Sequence, residues 1–518
     1  MKNEWRYIEE PLKEKLKKNT ATMLLFFITT FPLAFIITPM VLKYTGKELY
    51  GVWALVTTLL VFVELIGGLQ MPSAMSIMAP KYDPRTRHKD INEIANTMFF
   101  YYLASAFVLA LIYLLFGDVI FKMFFKVTPE NLNDSAFVAA FSFYAFLVNF
   151  VMLGFVYLLN ALNVMYFTNV VHIIIAYLRT AAMIGTLLLG YGIKGVVAAQ
   201  MVSILAETVI LLFCLKKVYP ALELSASHIS VKKFREMISL SLKLLSSKAA
   251  VLVGQNADKL ILGYFINPVY AAYYQIGASV SKYISLLPEM MGLNSLMPAA
   301  SELKARDMHN KIHVMFVRVT RYIFFAGILL CSGILVFGNE FITLWLGSGY
   351  EEAFLAMVVL AAAYTASLIG YPAMNILNGM ERVKEVMWAS IGAAVLNIVL
   401  SVILTKLYGL TGTLISAAIS LTAGGFALYI IYRVISGKAG GIILAVVKPL
   451  LAAVVSLGVV ASVEYFIGQE TGWLLLSAKA LLFTAVYAGV CIFVFKVLDE
   501  KDIELVKSVF KIKGNKTA

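Results

Sequence analysis

Charge is scarce in this chain. Only 14% of its 518 residues are charged and 61% are hydrophobic, whereas a soluble domain carries about a quarter charged residues and about half apolar ones. That imbalance excludes an ordinary soluble domain and indicates a polytopic membrane protein. Acidic residues are scarcer than basic ones, 30 against 43, for a formal net charge of +13. The bases lie mainly in short loops between apolar runs, which is the positive-inside pattern of membrane helices, so no nucleic-acid partner is expected. Cysteine is nearly absent: Cys214, Cys331 and Cys491 stand far apart in or beside apolar runs, which excludes a disulfide framework and a cysteine metal site. Of five histidines, His88, His228, His309 and His313 fall in or beside loops, and His172 stands alone in a span. No metal spacing, nucleotide loop or nucleophile motif occurs, so neither a cofactor nor an enzymatic activity is expected. Long loops are lacking too, and none exceeds roughly twenty residues, too few for a soluble domain.

What remains is apolar helix. The expected fold class is all-α, with about 14 transmembrane helices of about 20 residues each, the first near 22–42 and the last near 473–495. Residues 1–20 form a basic amphipathic arm, with Trp5 and Tyr7 ahead of Lys13, Lys15, Lys17 and Lys18, suited to a membrane surface. No small-residue cleavage site follows the first apolar run, so no cleaved leader is expected. Charge orients the chain. The arm, the loops 81–89, 216–235, 304–311, 382–384 and 433–438, and the tail from Lys496 hold about 28 of the Lys and Arg residues, and the opposite loops about six. Both termini are therefore expected on the cytoplasmic side of the cytoplasmic membrane.

A repeat organises the spans. Val41–Trp53 (VLKYTGKELYGVW) aligns with Ile261–Tyr273 (ILGYFINPVYAAY), setting Tyr44 over Tyr264 and Tyr50 over Tyr270. Leu158–Leu162 (LLNAL) aligns with Ile376–Met380 (ILNGM), and Tyr191–Val196 (YGIKGV) with Tyr408–Thr413 (YGLTGT). All three pairings share an offset of roughly 220 residues, which separates copies of a six-helix unit in parallel orientation. The expected plan is an arm at 1–20, six-helix lobes at 21–220 and 237–436, two additional helices at 440–496 and a basic tail at 497–518.

Ionisable residues inside spans are expensive and mark functional positions. The stretch 239–266 carries Lys243, Lys248, Asp258 and Lys259, with Lys248, Gln255 and Lys259 on one helical face. Lys282 and Glu289 share a face, as do Arg318 and Arg321 beside Tyr322, while Arg179 is the deep base of the first lobe. Lys248, Lys259, Lys282, Arg179, Arg318 and Arg321 are the expected lining of a cationic cavity, where arginine can grip a phosphate bidentately. For Arg318, Arg321 and Lys243, near span ends, snorkelling to headgroups is the bland alternative. Glu64, Glu207, Asp258 and Glu289 are either coupling carboxylates or structural partners of those bases. Pro32 and Pro39, seven apart in the first span, would bend one face of it.

The stretch PMVLKYTGKELYGVW (Pro39–Trp53) resembles the start of the polysaccharide flippases, exporters of lipid-linked oligosaccharides within the multidrug/oligosaccharidyl-lipid/polysaccharide exporter superfamily. Asp258–Phe265 (DKLILGYF), Met297–Ser301 (MPAAS) and Leu377–Gly379 (LNG) are similar to the same family. The resemblance implies two six-helix lobes around a central cavity and a polyprenyl-pyrophosphate-linked glycan as substrate, moved by alternating access. Glu64 and Glu207 offer a proton or sodium ion a coupling site, with membrane potential or substrate supply as alternative driving forces, and the bilayer and glycan-assembly enzymes complete the expected partners. Thr22–Leu42 contains no carboxylate for an organic cation. A drug or small-solute antiporter of the same superfamily is the alternative, and a membrane enzyme of glycan assembly a third reading.

Overall fold

The computed structural model describes residues 10–291, 293, 296–437, 441–467 and 472–497. Fifteen α-helices account for nearly all of them, and no strand occurs among the described residues. In chain order they are α1 Leu12–Gly68, α2 Met71–Met78, α3 His88–Phe124, α4 Leu132–Ala161, α5 Met165–Leu188, α6 Gly192–Val218, α7 Val231–Phe265 and α8 Pro268–Met290. Then follow α9 Leu296–Ala305, α10 His309–Leu346, α11 Glu351–Ser367, α12 Gly370–Gly379, α13 Val383–Ser436, α14 Ile442–Ile467 and α15 Trp473–Gly489.

Among the described residues, ten helical segments are long and apolar enough to cross a membrane, which makes the chain a multi-pass membrane protein. The longest two are each interrupted at a glycine. In α1, Gly46 has φ 78° and ψ 170°; in α13, Gly409 has φ 61° and ψ −135°. An unbroken helix of the 57 residues in α1 would reach about 85 Å, nearly three times the hydrocarbon thickness, so both arms fit a bilayer only if the chain turns there. Glycine supplies that turn because φ is positive and an L side chain would be strained. The charged helices α7 and α8 are absent from the ten apolar segments. Their membrane depth, and with it the fourteen-span plan, rests on the sequence pattern.

By internal contacts the chain divides into two compact units: 1–275 with 405–410, and 276–404 with 411–518. The first unit's core gathers Met71, Met75, Ile91, Met98, Tyr102, Phe150 and Leu158, all essentially buried, from α2, α3 and α4. Close approach replaces bulk elsewhere: a Cβ on Gly51 would stand 1.9 Å from the Pro268 carbonyl oxygen, which only glycine permits. Asn92 and Asn96 of α3, both buried, hold the linker after α6. Their side-chain amides donate to the Ala221 and Glu223 carbonyls at 2.8 and 2.7 Å, and the Ser225 amide donates to Asn96 Oδ1 at 2.9 Å. Lys233 at the start of α7 donates to Tyr82 Oη (2.7 Å) and Asp90 Oδ1 (3.0 Å). Burial works against the lysine's charge, but these two partners outweigh it and leave its pKa above the ordinary value.

In the second unit, Phe337, Val460, Leu476 and Phe483 pack α10 against α14 and α15. Lys479 reaches Glu340 at 3.2 Å, an ion pair between two largely buried side chains. Lys304 donates to the Met380 carbonyl oxygen and to Glu381 at the end of α12.

Two of the aligned sequence pairs adopt matching backbones. After LLNAL, Asn163 and Val164 donate to the Asn160 and Leu159 carbonyls, with Asn163 at φ 60°. After ILNGM, Glu381 and Arg382 donate to the Asn378 and Leu377 carbonyls, with Glu381 at φ 66°. This is one left-handed helix end built twice. In the YG pair, Gly192 and Gly409 both have positive φ, 55° and 61°.

Candidate functional site

A polar cavity of about 740 Å³ opens within the first unit, enclosed by the first arm of α1 and by α4, α5 and α6. Its walls follow helical spacing. From α5 come Met165, Thr168, Asn169, His172, Ala176 and Arg179, a single stripe at intervals of three and four. From α6 come Gln200, Ile204, Glu207, Thr208, Leu211 and Leu212, and from α4 Asn149 to Asn160 along its inner face. Phe26 and Thr30 close the side facing α1. The α5 stripe covers about 21 Å of helix axis, so the cavity runs from the end bearing the basic arm well into the span.

The α5–α6 hairpin brings the chemistry together. A short turn joins the helices, so residues equally far from it face each other. His172 and Glu207 stand in that relation, and His172 Nδ1 contacts a Glu207 carboxylate oxygen. The sequence left His172 alone in its span; the structure corrects this, because the hairpin supplies a carboxylate partner. Such a pair sets an imidazole nitrogen against a carboxylate inside the cavity. Arg179 lies seven residues along the same face from His172, and no ion pair or hydrogen bond engages its guanidinium among the described residues. Four amide side chains line the same cavity: Asn149, Asn160, Asn169 and Gln200. Gln200 accepts from Trp53 Nε1 (3.3 Å), Asn160 accepts from Thr168 (3.4 Å) and Asn169 donates to Thr22 (3.1 Å). A cavity lined by one cation, amides and hydroxyls can bind a phosphate oxygen and sugar hydroxyls together.

The other expected site residues are distributed. Asp258 of α7 is buried and accepts from Tyr274 Oη at 2.8 Å, while its neighbour Lys259 donates to Gln275 Oε1 at 3.0 Å. Both partners lie on α8, across the turn at 266–267. Helix α7 also carries Lys248, whose side chain lies outside the described residues. Glu64, exposed on the second arm of α1, is close enough to Tyr102 and the cavity residue Tyr157 to interact electrostatically. In the second unit Lys282 is exposed on α8, and Glu289, also exposed, neighbours Tyr371. Arg318 is exposed on α10, and half-buried Arg321 lies 5.6 Å from the Tyr322 ring. Of the expected residues, the cavity thus unites Arg179 and Glu207, and it adds His172 and the four amides.

Known proteins match at three levels. A family model described as "Polysaccharide biosynthesis protein" matches residues 16–304. A curated relative, the "Probable flippase AglR" of Haloferax volcanii, is 26% identical over 173 residues, 32% of this chain, and the match spans about a third (35%) of that relative's length. Among solved structures, a lipid II flippase MurJ in an inward closed conformation superposes with TM-score 0.67 and 13% identity, covering 91% of this chain and 99% of that one. An inward-facing multidrug resistance MATE family transporter of the MOP superfamily superposes with TM-score 0.60 and 13% identity, covering 79% and 94%. The structural likenesses establish the fold shared with MurJ and MATE transporters, and the family match, which takes in more than half of the sequence, shows that the chain belongs to the polysaccharide biosynthesis protein family.

Proposed function

We propose that this protein is a flippase that moves a polyprenyl-pyrophosphate-linked oligosaccharide across the cytoplasmic membrane by alternating access of two six-helix lobes, 21–220 and 237–436. Both termini then face the cytoplasm, and the cavity opens toward the side where such lipids are assembled. The observation that carries the reading is the composition of that cavity: Arg179 without a protein counter-ion among the described residues, in a cavity also lined by Asn149, Asn160, Asn169 and Gln200. Arginine suits a phosphate oxygen because its planar fork donates two parallel hydrogen bonds. The amides suit sugar hydroxyls because each both donates and accepts. Lys248, Lys259, Lys282, Arg318 and Arg321 extend the cationic lining in this proposal. The His172–Glu207 pair gives a proton a place to bind during the cycle, while Glu64, Asp258 and Glu289 act as coupling or structural carboxylates.

The same pair favours the second reading, a cation-coupled drug or small-solute antiporter, because Glu207 puts a carboxylate in the cavity. Deleting the gene and identifying the lipids that accumulate separates the two. The flippase reading expects a lipid-linked oligosaccharide to build up on the cytoplasmic leaflet and surface polysaccharide to fall. Unchanged lipid intermediates with increased sensitivity to cationic drugs would support the antiporter instead.

A further inference from the structure

Lysine is rare at the end of the first unit remote from the basic arm. Six bases belong to the loops there: Lys43, Lys47, Lys122, Lys126, Lys194 and Lys406. Lys194 is committed to Asp134 at 2.7 Å. Two others, Lys126 and Lys406, meet at Phe265 beside the α7–α8 turn, and Lys47 meets Tyr273 on α8. Lys126 donates to the Phe265 carbonyl oxygen at 3.5 Å and lies 5.9 Å from the Tyr264 ring. Lys406, in the 405–410 segment that belongs to this unit, stands 4.9 Å from the Phe265 ring. Lys47 donates to Tyr273 Oη at 3.1 Å and lies 5.2 Å from its ring. Lys43, 5.7 Å from the Tyr44 ring, precedes the break at Gly46. The rings themselves adjoin: Tyr264 lies 4.7 Å from Phe265 and 6.0 Å from Phe124. Glu48 accepts from the Thr128 amide and hydroxyl at 2.7 and 2.8 Å, and neither it nor Glu130 forms an ion pair with Lys126 among the described residues.

The geometry points to a second anionic site here: Lys126 and Lys406, set beside Phe265 and Tyr264, bind the phosphate of a lipid at the membrane–water boundary opposite the basic arm. Three features support it. The Lys126 and Lys406 ammonium groups lie beside ring faces and a carbonyl oxygen, none of which cancels their charge. Lys126 and Lys406 are exposed, so a headgroup can reach them. Tyrosine and phenylalanine at a span end fix the site at headgroup depth, with apolar ring surface toward lipid chains and the ammonium groups toward phosphate. The repeat motifs around Tyr44 and Tyr264 thereby acquire a role that the inner cavity does not use. The phosphate could come from a polyprenyl phosphate or from a bulk anionic phospholipid, and the site stands even if the flippase reading fails.

Binding to the full chain in zwitterionic nanodiscs tests this, with undecaprenyl phosphate and phosphatidylglycerol titrated separately and inorganic phosphate as a third probe. The Lys126→Gln/Lys406→Gln double variant should weaken binding of at least one of the two lipids on the order of tenfold, with Lys→Arg at both positions restoring it. Lys194→Gln, which also removes one positive charge at this end, should bind like wild type. Loss restricted to undecaprenyl phosphate identifies the carrier lipid as ligand, and loss restricted to phosphatidylglycerol identifies a bulk-lipid site. Equal weakening by Lys194→Gln, or full retention of both lipids by the folded double variant, would overturn the assignment.

Discussion

The hairpin formed by α5 and α6 and the two arms of α13 are copies of one sequence pattern with opposite interiors. Both are preceded by the same left-handed helix end, at Asn163 and at Glu381, and both turn at a positive-φ glycine, Gly192 or Gly409. The first hairpin lines a cavity with Arg179, His172, Glu207 and Gln200. At corresponding places, roughly 220 residues on, the second has Leu396, Ala389, Gly424 and Ala417, with no charge among them. It closes by hydrogen bonds instead: Asn397 donates to Ser420 at 3.1 Å, Ser416 to the Asn397 carbonyl at 3.0 Å, and Ser401 to Ser416 at 3.0 Å. Gly424 lets the arms approach so closely that an added Cβ would stand 2.9 Å from the Ala393 Cβ. Small residues and short hydroxyls favour helix–helix contact in lipid, whereas charged side chains persist there only around a polar space. The scaffold is therefore duplicated, while the cavity-lining side chains Arg179, His172 and Glu207 belong to the first copy.

That contrast can be broken from either side. The largest effect is expected from Gly424→Glu, which places the first hairpin's carboxylate in the second. Overpacking and a charge without a cavity should destabilise the protein by about 3 kcal/mol or more, seen as loss of the monodisperse species on detergent gel filtration. Next, Arg179→Gln should reduce lipid-linked glycan export about ten- to a hundredfold at unchanged protein level, from loss of a charged hydrogen bond; radiolabelled surface polysaccharide measures it. Asn96→Ala, which releases the linker carbonyl of Glu223 and the Ser225 amide, should lower stability by about 1–3 kcal/mol in chemical denaturation. Asn397→Ala should lower it by only about 1 kcal/mol, the usual worth of an interhelical hydrogen bond in a membrane, and leave export intact.

The smallest effect is expected at Glu381. Its hydrogen bond to Lys304, together with that lysine's charge, holds its carboxyl below the ordinary range. A depressed carboxyl pKa stabilises only above the unfolded value and fades as pH falls through the folded one. Glu381 is almost fully exposed, however, so solvent screens the pair. Glu381→Gln should therefore leave the melting temperature unchanged at both pH 7 and pH 4 by differential scanning fluorimetry.

Much of this was legible from residue order. Apolar runs announce membrane helices, and a shared offset announces the repeat; Arg179 and Glu207 stood out as charges where charge is expensive. His172 was missed because its partner lies 35 positions on, across a turn. The signal was present as a polar stripe, Thr168, Asn169, His172 and Arg179, facing Gln200, Glu207 and Thr208 on the next antiparallel helix. The same mirror relation across the α7–α8 turn explains Asp258 with Tyr274 and Lys259 with Gln275. Sequence spacing placed these charges on a helix but could not say which groups on the neighbouring helix satisfy them. That depends on how closely the helices pack, which small residues such as Gly51 decide locally.

The most direct measurement is translocation of a fluorescent polyprenyl-pyrophosphate-linked oligosaccharide in proteoliposomes containing equal amounts of folded wild type, Arg179→Gln or Asn397→Ala. A substrate role for the first hairpin's cavity requires that Arg179→Gln lose at least nine-tenths of the wild-type rate while Asn397→Ala retains it. Wild-type translocation by Arg179→Gln, or equal loss in both variants, would contradict it.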